Sequence, residues 1–336
     1  MKKFLKIIGI IVLCIVLIIC GLIVNNRVYY TIYSKADIDL NYLTDNEVET
    51  FASVFDYLSE HGDVIVDGFN ELTELLTYNR KYEFLVTGDI YGNGWEFLGF
   101  NKRLNKNIYR RLADNPQAFA VKIEDHWVGS FCTQNYYPIS FLEQVPVIVP
   151  PQLFSLDDIA YRSVFIHEMA HALQGNRNND RLDKVSHLHN VNSNYFENSN
   201  FKASIKQEGQ ILEDAIKLTD KNEIVKKVNE FLYTRDLRRN EHNMTDVAIF
   251  NEKEFEWLEG FGRYAEFISS EGSKSAISRS LNKISAKVAT YDDGTYYALG
   301  MAQIVLIGKL GIPEWQQNFF YGNYMPEDLL REYNSK

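Results

Sequence analysis

Residues 7–24 form an unbroken run of 18 positions without a charged or strongly polar side chain. No soluble helix or strand with one wet face can be built from such a run. As a helix rising about 1.5 Å per residue it spans roughly the hydrocarbon core of a bilayer. Lys2, Lys3 and Lys6 precede it, and the positive-inside rule then keeps the N-terminus in the cytoplasm and sends the rest across. A cleaved signal peptide needs a small-x-small site close behind the apolar run. The following GLIVNNRVYY has none, and Ser34-Lys35-Ala36 lies too far downstream. Cys20 suggests a lipid attachment site, but Ile19 stands where a small residue is needed. The segment therefore reads as an uncleaved transmembrane signal anchor over 7–24, with a cytoplasmic stretch at 1–6 and a juxtamembrane connector at 25–45.

The remaining residues, 46–336, are enough to bury a core and to divide into lobes. An N lobe is expected over about 46–175 and a C lobe over about 176–336. The chain carries a formal net charge of −10, and removing the three anchor lysines leaves about −13 outside the membrane segment. That charge argues against nucleic acid as a partner and against a general basic patch for anionic lipid. Cys14 and Cys20 lie in the anchor and Cys132 stands alone, so neither a disulfide framework nor a cysteine zinc cluster is available.

Residues 46–80 have helical spacing with a break at His61-Gly62-Asp63. The pattern then changes to β-branched and aromatic runs at 82–88, 95–100, 118–131 and 145–150, which read as strands. The segment 107–115, NIYRRLADN, reads as a helix between them. A helix follows at SLDDIAYRSVFIHEMAHALQG, with Ser155 and Asp158 as a capping-box-like start and Gly175 as a stop. Residues 176–200 are crowded with asparagine and read as a long loop. Residues 201–235, 250–270 and 295–310 read as further helices, the first with a mostly solvated, charged face. The expected class is α+β, a mixed sheet followed by a mainly helical lobe.

His167 and His171 are four residues apart, so on a helix they share one face and can aim at one point. Neutral imidazole is a good zinc ligand. Glu168 is rotated by about 100° from His167, which places it to reach a water rather than the ion. This is the H-E-x-x-H arrangement. It pairs a Lewis acid with a general base that takes a proton from water and returns it to a leaving amine. A catalytic zinc also needs a third protein ligand and an open position. The longer motif H-E-x-x-H-x-x-G-x-x-H is excluded, because Gln174 and Arg177 occupy its last two fixed positions. A glutamate from a later helix is the other solution. WLEGFGRYAEF, 257–267, is the strongest region, with Glu259, Glu266, Glu256 and Glu252 as candidates.

The pair HEMAHALQ and EGFGRYAE resembles the gluzincin-type zinc metallopeptidases, many bacterial members of which carry E-G-x-A-x-Y-x-E downstream of H-E-x-x-H. Glu259, Gly260, Tyr264 and Glu266 stand in the matching places, and Gly262 replaces the usual alanine. The resemblance covers two helices closely and about 140–310 loosely. It implies a zincin-like fold, one Zn2+ per chain on His167, His171 and Glu259, and Glu168 as base. Glycine at 260 would let the ligand helices approach closely.

An oxyanion donor is also needed. Tyr264 and Tyr297 are the favoured candidates, with Tyr296, His187, His189, His242 and Arg263 behind them. The segment 145–150, VPVIVP, is the expected edge strand over the active-site helix, where an extended peptide could add. The function expected is a membrane-anchored zinc metallopeptidase acting on peptide or protein outside the cytoplasm. Alternatives are a non-catalytic surface or assembly protein on the same fold, and a zinc hydrolase of a non-peptide bond. An intramembrane protease is disfavoured, because Asp157, Asp158 and Arg162 precede the motif on its own helix.

Overall fold

The computed structural model describes residues 2–35, 40–92, 94–144 and 156–335. It is an α+β structure whose described residues form 13 α-helices and a mixed sheet of six strands. In chain order these are α1 (Lys2–Lys35), α2 (Asp45–Ile65), β1 (Leu75–Tyr78), β2 (Tyr82–Thr87), β3 (Glu96–Asn101), β4 (Lys106–Leu112), β5 (Phe119–Ile123) and β6 (His126–Cys132). The helices α3 (Tyr137–Gln144), α4 (Asp158–Arg177), α5 (Asn179–Val185), α6 (Ser199–Lys217), α7 (Lys221–Glu241) and α8 (Asp246–Ser269) follow. The last are α9 (Ala276–Leu281), α10 (Ile284–Val288), α11 (Asp293–Leu310), α12 (Trp315–Tyr321) and α13 (Pro326–Ser335). Two compact units result, each discontinuous in sequence: Met1–Glu49, Leu76–Gln117 and Phe131–Leu156 form one, and Thr50–Leu75, Ala118–Ser130 and Asp157–Lys336 the other.

The first unit holds α1. Its Lys6–Thr31 stretch has a mean hydropathy of 3.6 and is not buried. By length and composition it could be a membrane anchor or a signal sequence. The helix continues to Lys35, through much of the segment expected as a connector.

Strand order in the sheet is β3-β4-β2-β1-β6-β5. β4 runs antiparallel to β2 and β3, and β5 antiparallel to β6. The Thr133 N–H donates to the Tyr78 carbonyl just beyond the ends of β6 and β1, so these two run in the same direction. The helix expected at 107–115 is instead β4. Cross-strand charge explains the difference. Arg110 lies opposite Glu96 and pairs with it at 2.8 Å, and Arg111 lies opposite Glu83 and pairs at 2.5 Å. Such partners are contributed by other strands and have no signature within the segment itself.

Other local expectations also shift. The run 118–131 is a hairpin rather than one strand, turned at Glu124, whose φ of 55° is left-handed. Helix α2 passes through His61-Gly62-Asp63 without a break. Gly62 serves close packing there, since a Cβ on it would lie 2.6 Å from the Asn70 nitrogen.

The second unit is largely helical. The loop expected over 176–200 contains α5 and a 3-10 turn at Tyr195–Glu197. The charged stretch 201–235 is two helices, α6 and α7, broken at Leu218–Asp220, where the Asp220 side chain caps α7. The face of α7 bearing Arg235 and Arg238 is wholly buried rather than solvated.

Helix α4 starts at an Asp157 cap, whose carboxylate accepts from the Ala160 N–H at 2.8 Å. Ser155 and the expected strand at 145–150 lie outside the described residues. Gly175 does not stop the helix. It is buried within it, where a Cβ would lie 2.5 Å from the Trp127 ring. On the sheet side, Gly129 of β6 lets α4 approach until a Cβ would sit 2.7 Å from the Met169 Cα. Helices α8 and α11 meet through Gly260 and Gly300 in the same manner, 2.5 Å from a Gly260 Cβ to the Gly300 Cα. Gly260, expected to let the two histidine- and glutamate-bearing helices approach, thus packs α8 on α11 instead; the close approach of α8 to α4 is at Gly262, against the His167 ring.

Candidate metal centre

One helical turn of α4 carries His167 and His171 on the same face, and their Nε2 atoms lie 3.1 Å apart. Glu259 of α8 brings Oε2 to 3.3 Å from the His167 Nε2 and 3.4 Å from the His171 Nε2. All three side chains are buried, and their donor atoms fall within 4.8 Å of one another, so the group could hold a metal ion. Two imidazole nitrogens and one carboxylate oxygen on two rigid helices match the donor number and type of a three-ligand metal site.

Neighbouring groups orient both rings. The Gln174 amide nitrogen donates to the Trp257 carbonyl at 2.8 Å. Its Oε1 is thereby turned to the His171 Nδ1 at 3.0 Å. An Nδ1–H donating to that oxygen leaves the Nε2 lone pair free for a cation. On His167, Nδ1 faces the Glu266 Oε2 at 3.4 Å. The same Glu266 oxygen accepts from the Arg263 Nη1 at 2.6 Å.

Gly262 lies against the His167 ring. A Cβ there would stand 2.7 Å from Nε2, so glycine at 262 permits an unusually close approach of α8 to the His167 ring.

Electrostatics follow from burial and from these pairs. Burial pulls the His167 pKa down, but hydrogen bonds to Glu259 and Glu266 and the charge of Glu168 outweigh it and raise it to about 10. Burial opposes ionisation of Glu259, yet the His171 and His167 imidazoles hold its carboxyl well below the usual range. The Glu168 carboxyl is raised by burial to about 7, with the histidines limiting the rise. A carboxyl titrating near neutrality can both take and return a proton. Glu168 has no hydrogen-bond partner among the described residues.

The other acidic candidates on α8 are engaged elsewhere. Glu252 pairs with Arg238 and Arg239, Glu254 with Arg181, and Glu256 with Arg235. Glu259 alone of the candidates reaches both histidines at Nε2, and Glu266 approaches the opposite edge of His167.

Of the two favoured tyrosines, only Tyr297 adjoins the centre. Its ring centroid is 6.3 Å from that of His167, and it lies near enough to Glu259 to feel its charge. Burial and the Glu259 charge raise its pKa above the ordinary tyrosine value. Tyr264 instead stacks near Phe261, at 6.3 Å. Tyr296 is buried against Asn192 at 3.2 Å, His242 packs on Phe201, and His187 and His189 are exposed.

Two contributors escaped the sequence reading. Gln174 was noted only for breaking the longer histidine motif, although its spacing of three from His171 already put it on the ligand face. Phe119 of β5, whose ring lies 4.6 Å from that of His171, had no local signal at all. The chain matches no family model, no curated protein and no solved structure.

Proposed function

We propose that the protein is a zinc metallopeptidase of the gluzincin type, held at the membrane by α1 and acting on peptide or protein outside the cytoplasm. The observation that carries this reading is the convergence of His167, His171 and Glu259 donor atoms within 4.8 Å, with Glu168 beside them on α4. His167, His171 and Glu259 would hold the ion. A zinc ion held there would supply Lewis-acid chemistry to a substrate carbonyl and to water.

The side chains divide the remaining work. Glu168 accepts a proton from the attacking water at its carboxylate and delivers it to the leaving amine nitrogen. Gln174 and Glu266 hold the two imidazoles in the tautomer that presents Nε2. Tyr297, at the wall of the site, is the better-placed hydroxyl to donate to a developing oxyanion. An extended substrate would lie along β5, which ends the strand order among the described residues, packs on α4 and carries Phe119 to His171.

The test is metal content and turnover of the detergent-solubilised full chain. About one zinc per chain is expected, with cleavage of a mixed peptide library. Glu168→Gln should keep the metal and lower kcat by about a thousandfold. His171→Ala should lose the metal. Zinc far below one per chain after zinc is supplied to folded protein would overturn the reading, as would wild-type turnover by Glu168→Gln.

A further inference from the structure

Two residues of the asparagine-rich stretch, Asn176 at the end of α4 and Asn179 at the start of α5, tie the hairpin of β5 and β6 to the helix that carries the two histidines. The Asn176 Oδ1 accepts from the Trp127 N–H at 2.7 Å, and its amide nitrogen donates to the Trp127 carbonyl at 2.9 Å. One side chain thus pairs with both backbone groups of one residue, as a neighbouring strand would. Only a side-chain amide carries the donor and the acceptor that this needs. The Asn179 Oδ1 accepts from the Trp127 Nε1 at 3.0 Å and from the Lys122 Nζ at 2.8 Å. Lys122 and Trp127 are cross-strand partners, so this one oxygen holds β5 and β6 at the same rung.

The position of these bonds gives them a consequence for the metal centre. Asn176 lies five residues beyond His171 on α4, about one and a half turns along the same rigid rod. Lys122 lies three residues beyond Phe119 on β5. The Phe119 ring in turn lies 4.6 Å from that of His171. Helix and strand are therefore joined at two places, by ring contact at the centre and by the asparagines further along. Among the described residues β5 ends the sheet and has β6 as its one strand partner. Its outer edge is left for an incoming chain, and its placement depends on what holds the hairpin to α4.

We infer that Asn176 and Asn179 are positioning residues that fix β5 relative to His167 and His171, so that a peptide added along β5 reaches the centre at its scissile bond. The inference rests on the peptidase reading for its purpose and on the asparagine bonds for its geometry. Neither asparagine is a ligand or a proton carrier. Both act through Trp127 and Lys122.

The test compares extended and short substrates on the detergent-solubilised full chain. One probe is a fluorogenic octapeptide chosen from those that the wild-type protein cleaves in a mixed library. The other is its shortest truncation that the wild type still cleaves. Asn176→Ala should raise KM for the octapeptide about tenfold, leave kcat within about twofold, and leave KM for the short peptide unchanged. Asn179→Ala should act in the same direction more weakly. Asn179→Asp keeps the accepting oxygen and should restore the wild-type KM. Metal content should be unaltered in all three, and circular dichroism checks that each folds. A second readout needs no turnover: amide hydrogen exchange over 119–123 should quicken about tenfold in Asn176→Ala. Equal KM changes for both peptides, or unchanged exchange over β5, would overturn the inference and leave the peptidase. Quickened exchange in a chain whose wild-type form cleaves no peptide keeps the hold on β5 and sinks the peptidase.

Discussion

Along α8, Glu252 and Glu256 turn into a cluster of buried arginines, while Glu259 and Glu266, further along the same helix, turn to two buried histidines. The first cluster joins α7 to α6, α8 and α13. Arg235 bonds Glu208 at 2.9 Å, Glu256 at 2.7 Å and Glu327 at 3.1 Å, and Arg238 and Arg239 share Glu252. A guanidinium stays charged at any ordinary pH, so this cluster is compensated permanently by carboxylates. Its value lies in geometry more than in net stability, because desolvating so many charges offsets much of their attraction. The second cluster uses imidazoles, which can give up their protons and offer lone pairs instead. The same residue type on one helix is thus structural or functional according to whether its partner can be exchanged for a cation.

The strongest way to break this contrast is Arg235→Met. It leaves Glu256 without a cation and takes one cation each from Glu208 and Glu327, which keep Arg238 and Arg239. Chemical denaturation should report a loss of about 3–5 kcal/mol. A change below about 1 kcal/mol would show that the arginine cluster is not what holds α6, α7, α8 and α13 together.

Acid should separate the members of that cluster. Burial disfavours the ionised forms, but arginine charge holds Glu252 down at about 2 and Glu327 well below its usual value. A depressed carboxyl stabilises the fold above its unfolded pKa and loses that contribution as pH falls through the folded value. Unfolding free energy should therefore drop as pH falls from about 4.5 toward about 2. Glu256 is shifted the other way, because burial raises it against the pull of Arg235. It should be the first of the cluster to protonate, so Glu256→Gln should cost less stability at pH 5 than Glu327→Gln. Equal costs would refute that ordering.

On the histidine side, Gly262→Ala forces a methyl into the space of the His167 ring. Metal affinity should fall about tenfold while the denaturation midpoint of the metal-free protein changes little. Unchanged affinity would mean that the ring can move aside freely. The smallest effect is expected at the start of α4. Asp157→Ala removes the cap and the bonds to Ser273 and Lys274, and should cost about 1 kcal/mol with metal content unaltered. Loss of metal in that variant would instead tie the position of α4 to the centre.

The sequence by itself determined the anchor-like helix, because 18 consecutive apolar residues have few soluble uses. It also determined the pairing of His167 with His171, because helical spacing alone puts them on one face. The existence of α8 and α11 was legible for the same reason, and β2 and β3 from their residue types. Everything that depended on a distant partner was not. β4 reads as a helix until Glu83 and Glu96 arrive from neighbouring strands. α7 reads as a solvated face until four glutamates from three other helices bury its arginines.

The glutamate that joins the two histidines shows the limit most directly. Five glutamates crowd α8 between 252 and 266, and only a resemblance favoured Glu259. The tertiary structure separates them by what lies opposite: arginine for Glu252, Glu254 and Glu256, histidine for Glu259 and Glu266. Local sequence encodes which residues share a face. Which face meets which is set by packing, and here glycines at 129, 260, 262 and 300 set it by allowing backbones and rings closer than any other residue would.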